Sequence, residues 1–248
     1  MNAVSGLRAK PSPGAALLLI PGMLNKPGIW DGVIDGLREQ LGDSVEIAVA
    51  DVLSQTTIAD MAKDAWERLE DVEAETPCYV AGFSMGGYVA LEMLAHQQRP
   101  LSGAWLISTS VFPESPESAS MREKSIANFQ QDFEKTIYNT ARWGTFEKTP
   151  EQFDPLVQAM RELGAETAIR QTRAIMNRRD LREPIGQLDI PVQVLCGTED
   201  RITPPKLSEA IAALIPTAQL RLIEKSGHMM PFENASLIAH SICQRIAA

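Results

Sequence analysis

Residues 78–90 read CYVAGFSMGGYVA. An apolar run closes at Phe83, and a helical pattern, ALEMLAHQQ, fills residues 90–98. Between them stands Gly82-Phe83-Ser84-Met85-Gly86, the G-x-S-x-G pattern of a nucleophile on a sharp strand-to-helix turn. A backbone strained at the serine brings the residues two positions either side into collision, and glycines there remove the clash. The serine oxygen then stands clear of the sheet. The first free N–H groups of the following helix face the same spot, where they stabilise a developing oxyanion.

A serine needs a base, and the base needs an orienting acid. The chain has only three histidines. His96 lies near the end of the helix that starts at Ser84, about 18 Å along it at 1.5 Å per residue, and reads as a helix C-terminal charge. His240 falls inside the last helical pattern, NASLIAHSICQRIA. His228 follows the apolar run LRLIE in the loop KSGHMMPFE, at a strand's C-terminal end, where open α/β sheets place their sites. It is the candidate base. For the acid, VQVLCGTEDRITPP offers Asp200, with Glu199 as the other choice. The order Ser, Asp, His is the one expected for a strand-to-helix nucleophile of this kind. A second oxyanion donor is expected from the loop after LLLI, in IPGM, where the backbone N–H of Met23 would pair with that of Met85.

The rest of the chain supports an α/β fold. Short apolar runs at 15–20, 45–50, 78–83, 104–109, 192–197 and 220–224 alternate with helical patterns. Runs without polar alternation fit strands buried on both faces, and the alternation implies an open, mostly parallel sheet with helices on both faces. Residues 58–72 place Ile58, Met61, Ala62, Ala65, Trp66 and Leu69 on one stripe. Residues 112–185 break the rhythm. They hold no strand-like run, carry about four helical patterns punctuated by Pro150, Pro155 and Pro184, and read as a helical insertion between two strands.

Composition narrows the partners. The 248 residues carry a formal net charge of -9, which argues against a nucleic-acid or anionic-membrane partner. No segment approaches the roughly 20 apolar residues that span a bilayer. Basic residues precede the ALLLI run near the N-terminus, but that run is too short for a signal-peptide core and ends at Pro21-Gly22. Three cysteines, Cys78, Cys196 and Cys243, show no Cys-x-x-Cys pairing and read as free thiols. A cytoplasmic protein is the expectation. No clustered metal ligands or phosphate-binding glycine loop appear, so neither metal nor other cofactor is expected.

Four stretches, PGMLNKPGIW, GFSMGG, GTEDRITPP and SGHMMPFE, lie in an order that resembles the α/β-hydrolase superfamily, in its small cofactor-free esterase-like branch. The resemblance spans nearly all of the chain outside 112–185. It implies Ser84 as nucleophile, His228 as general base and then acid, and Asp200 as the orienting carboxylate. It implies Met23 and Met85 as oxyanion donors, a core built from 1–111 and 186–248, and a helical cap from 112–185. Trp30 matches a tryptophan that members often pack after the oxyanion loop.

The chain departs from the pattern in places. Many relatives have His-Gly before the oxyanion residue, and this chain has Pro21-Gly22. Many have Asp-x-x-Gly where this chain has DVLSQTT, and members often have Asp where Ser108 stands. The stretch before AALLLI is short enough to leave out one or both of the usual first antiparallel strands.

The implied reaction is hydrolysis of a small to medium ester or thioester through an acyl-enzyme. Met23, Leu24, Met85, Met229 and Met230 read either as a soft apolar pocket for the acyl group or, for several of them, as plain core, and of the cap's Phe129, Phe133, Tyr138, Trp143, Met160 and Met176 most read as packing. A carbon–carbon bond hydrolase uses the same triad and would want a cation for its acid, for which Arg142, Arg170 and Arg173 are available. A non-catalytic ligand-binding receptor on this fold is the alternative of a different class.

Overall fold

A computed structural model describes residues 14–247. Six strands form one sheet: β1 (Ala15–Ile20), β2 (Val45–Val49), β3 (Cys78–Phe83), β4 (Gly103–Ile107), β5 (Val192–Gly197) and β6 (Ala218–Ile223). Their spatial order is β2-β1-β3-β4-β5-β6, and every pairing is parallel. The chain therefore runs outward from β1 to β2, crosses back over β1 to β3, and then builds the other side. The reversal lies between β1 and β3, and ligands of open α/β sheets bind outside the carboxyl ends of strands at such a point. The expectation about antiparallel strands before β1 falls outside the described residues.

Central strands β1, β3 and β4 are buried along their whole length, as their unbroken apolar runs require. The two edges differ. β6 is half-buried or exposed up to Ile223 and β2 is buried only at Val45, because each has a single sheet neighbour. Alternate residues of β1 feed two apolar layers. Ala16, Leu18 and Ile20 join the layer of α2 (Ile58–Glu67) and α3 (Met85–Ala95). Leu17 and Leu19 join that of α1 (Asp31–Leu41) and α10 (Ala235–Ile246). The predicted stripe of α2 is buried, and Thr57 caps it by accepting the Asp60 N–H at 3.0 Å.

Between β4 and β5 lie four helices: α4 (Pro116–Gln131), α5 (Phe133–Gly144), α6 (Pro150–Met176) and the short α7 (Arg182–Ile185). Pro116 and Pro150 sit in first turns, where a missing N–H is harmless. Pro155 does not end a helix, as the sequence pattern suggested, but lies inside α6. The break falls instead at Gly164, whose φ of 78° and ψ of 165° divide α6 into two helices end to end. Phe129, Ile137, Phe153 and Met160 from these helices share one apolar cluster with Leu24 and Met229 of the sheet's loops. α8 (Pro205–Leu214) and the short α9 (Met230–Glu233) follow β5 and β6. No helix among the described residues is long and apolar enough to cross a membrane.

Candidate active site

Ser84 stands between β3 and α3 with φ 53° and ψ -115°, a conformation an L residue rarely adopts. Its neighbours explain how the fold tolerates this. A Cβ on Gly82 would sit 2.7 Å from the Gly86 carbonyl carbon and 2.8 Å from Ala90 Cβ. One on Gly86 would sit 2.6 Å from the Pro21 carbonyl oxygen. The elbow is then fixed from outside. Ser84 N–H donates to the Ile107 carbonyl at 2.9 Å, and Thr109 Oγ1 donates to the Ser84 carbonyl at 2.8 Å.

Three sequence-distant residues meet there. His228 Nε2 lies 2.9 Å from Ser84 Oγ, and His228 Nδ1 lies 3.0 and 2.9 Å from the two Asp200 oxygens. Asp200 and His228 are both buried. Asp200 Oδ1 also accepts the N–H groups of Ile202 and Thr203 at 2.9 and 2.8 Å, and Oδ2 accepts the Thr203 hydroxyl at 2.9 Å. Burial opposes the charged carboxylate most strongly. The His228 imidazole and the Thr203 donors outweigh it and hold Asp200 below the ordinary carboxylate range. Glu199, the other acid candidate, is exposed and faces Arg201 at 3.9 Å. His96 lies beside Glu92 at the end of α3, and His240 is exposed.

Thr203 is one residue that sequence reasoning missed. Its position three after Asp200, in the motif Asp-Arg-Ile-Thr, was the available signal. Cys196 also packs under the carboxylate, with Sγ 3.9 Å from Asp200 Oδ2. Burial, then the Asp200 charge, push its thiol up to about 12, so it is no rival nucleophile. All three cysteines are free and buried.

The loop 21–25 closes the other wall. Met23 and Leu24 line a cavity of about 140 Å³ that also touches Ser84, His228 and Met229. Phe129, Met160 and Ile175 reach it from α4 and α6. Met85 and Met230 do not line it. Met85 is buried in the layer behind the elbow, and Met230 turns inward so that the Ser226 hydroxyl lies 2.9 Å from its sulfur. Of the other aromatics named from 112–185, Tyr138 stacks edge-on against Phe153 and Trp143 lies largely exposed under Arg201. Phe133 packs at the margin of the shared apolar cluster. Arg142 is absent from the cavity wall, Arg170 donates to the Leu53 carbonyl, and Arg173 is exposed. The cation on the cavity wall is Arg122. Trp30 is fully buried.

Comparison with known proteins fits this geometry. The sequence model described as "Alpha/beta hydrolase family" matches residues 17–240. The chain belongs to the alpha/beta hydrolase family. Among curated relatives, this hydrolase is 25% identical over 177 residues to a pimeloyl-[acyl-carrier protein] methyl ester esterase of Neisseria meningitidis, covering 67% of this chain and 68% of that one. It is 24% identical over 238 residues to Lipase 3 of Moraxella sp., covering 87% and 72%. Its fold matches a thermophilic esterase from Thermogutta terrifontis with a TM-score of 0.80 at 24% identity, over 95% of this chain and 90% of that chain. It is a carboxylesterase-like hydrolase.

Proposed function

We propose that this hydrolase cleaves small to medium carboxylic esters by two-step acyl transfer, with Ser84 as nucleophile, His228 as base and Asp200 as its orienting acid. The 2.9 Å approach of His228 Nε2 to Ser84 Oγ, with Asp200 on the far nitrogen, carries the reading. Ser84 Oγ attacks the ester carbonyl as Nε2 takes its proton. The negative oxygen is received by the N–H groups of Met23 and Met85, the second at the N-terminus of α3. His228 returns the proton to the leaving alcohol, and a water activated by the same nitrogen frees the acid. Residues 112–185 act as the cap, and the apolar walls given by Met23, Leu24 and Met229 take the acyl group. Buried free thiols suit a reducing compartment.

A burst assay with p-nitrophenyl esters of rising acyl length, on wild type and Ser84→Ala, tests this. Turnover lost in the variant supports it, and the chain-length optimum sizes the cavity. Wild type that neither turns over nor is labelled by a fluorophosphonate would point to a binding protein instead.

A second reading concerns what the acyl group is attached to. An open groove of about 1110 Å³ shares Ser125, Phe129 and Thr140 with the catalytic cavity. Lys135, Arg142, Lys148 and Arg201 line it against Asp132 alone, on a chain of net charge -9. That sign suits an acidic body outside the cavity, and the Neisseria relative is named for an ester on an acyl carrier protein. Hydrolysis of a carrier-bound methyl ester that weakens steeply with salt, while p-nitrophenyl acetate does not, would favour it.

A further inference from the structure

We infer that Gln171 is the positioning residue of the oxyanion loop, reaching from α6 to set the Met23 N–H. This rests on the serine-esterase reading above. Gln171 is fully buried on the second half of α6, beyond the Gly164 break. Its Oε1 accepts the Leu24 N–H at 2.9 Å, and its Nε2 donates to the Val52 carbonyl at 2.9 Å. Both ends of the amide are therefore used, and the two partners fix which way it points.

The Leu24 N–H belongs to the Met23–Leu24 peptide. The carbonyl of that same peptide, on Met23, accepts Asn25 Nδ2 at 2.8 Å. The peptide plane is thus gripped at both ends. It needs gripping, because Leu24 has φ 55°, in the left-handed region that a branched side chain avoids. Release of the plane lets Leu24 relax and rotates the adjoining peptide, whose N–H is the Met23 donor. The next residue on the helix reinforces the hold. The Thr172 hydroxyl lies 3.7 Å from Met23 Sδ and donates to the Ala168 carbonyl at 2.7 Å. Position on α6 therefore decides the aim of a donor on the β1 loop. A preorganised donor acts only when it meets the place where charge develops, so the loss should fall on kcat.

Two variants separate positioning from packing. Gln171→Met keeps the volume and removes both hydrogen bonds. Kinetics with a p-nitrophenyl ester, per site titrated by a fluorophosphonate, should show kcat at least about tenfold lower with KM within about threefold. The loss should stay below the roughly 10²–10³-fold of deleting an oxyanion donor. Gln171→Glu supplies the second readout. Its protonated carboxyl can still accept from Leu24 and donate to Val52, and its ionised form cannot donate. The ratio of variant to wild-type kcat should fall as pH rises from 5 to 8. A kcat per titrated site equal to wild type in Gln171→Met, or a pH-independent ratio in Gln171→Glu, would overturn the inference. Should the Met variant not fold, the pH ratio of the Glu variant decides. Full activity in Ser84→Ala would overturn the underlying reading as well, whereas a dead Ser84→Ala beside an unaffected Gln171→Met overturns this inference alone.

Discussion

The N–H of His228 donates to the carbonyl of Gly144 at 2.6 Å, and the N–H of Met229 reaches the same oxygen at 3.2 Å. The loop that carries the candidate base is therefore bonded to the end of α5 as well as to the sheet. Glu233 closes the junction from below, accepting Phe146 N–H at 2.8 Å and Gly227 N–H at 3.1 Å. Gly227 makes the approach possible. A Cβ there would lie 2.6 Å from the Gly144 oxygen and 2.7 Å from the Phe146 nitrogen, both backbone atoms that cannot swing aside. Gly227→Ala should lower Tm by several degrees and kcat by more than about tenfold, since a 1 Å displacement of a reacting group can cost about 10²-fold. Calorimetry and ester kinetics on one preparation check it.

Asp200→Asn should leave the fold intact and reduce kcat by about 10³–10⁴-fold with little change in KM. An amide beside Nδ1 favours the wrong imidazole tautomer and withdraws the charge that stabilises imidazolium. Glu199→Gln, one residue away and exposed, should stay within about twofold of wild type. Equal losses in the two variants would remove Asp200 from its role.

Thr203→Val should destabilise the protein by about 1 kcal/mol at neutral pH, because it deletes a donor to a buried carboxylate. Its pH signature has a definite sign. The folded Asp200 carboxyl lies below its unfolded value, so its contribution is present above about pH 4 and is lost as pH falls through the folded pKa. Loss of the Thr203 hydroxyl raises that folded pKa. Stability of the variant should therefore fall by less than that of wild type as pH drops, so the deficit seen at neutral pH narrows towards pH 2, as urea titrations between pH 2 and 7 would show.

Glu233 runs the other way. Burial raises its carboxyl above the ordinary range, against the N–H groups of Phe146, Gly227 and Met229 that favour the anion. A raised folded pKa contributes stability below the unfolded value of about 4.3 that is lost as pH rises through the folded pKa. In Glu233→Gln this loss disappears. The difference in Tm between variant and wild type should move in the variant's favour from pH 4 to pH 8, and a constant difference would contradict the shift.

Gly86→Ala should be among the most damaging single changes in the chain. The added Cβ meets backbone oxygens and carbons of Ile20 and Pro21 on the neighbouring strand end, and overpacking against backbone costs about 3 kcal/mol or more. Gly42→Ala, where nothing lies within 4 Å of the Cβ, should cost only the strain of its φ of 56°. Comparison of the two urea midpoints separates crowding from conformation.

Much of this was legible in the residues. The elbow at Ser84, the strand-end positions of Asp200 and His228, the alternation of β and α and the strandless stretch between β4 and β5 all follow from local pattern. Each depends on apolar period, glycine spacing and order along the chain, which a single sequence carries. Local pattern prefers Asp200 to Glu199, and burial with the 2.9 Å distance to Nδ1 supports the same candidate.

What only the tertiary structure decided was set by where elements cross. Met230 and Met85 sit in motifs that face the site, yet their side chains turn into the core, because a helix start rotates successive residues by about 100° each. Gln171 carries no motif, and its amide matters only because α6 passes over the loops after β1 and β2. Arg122 reaches the cavity, and the arginines singled out from the pattern do not. Sequence fixes which residues can do chemistry through local backbone geometry. Which of them meet depends on contacts between segments distant in the chain, 144 positions apart for Ser84 and His228 and 147 for Leu24 and Gln171, and those are chosen by packing of the whole chain.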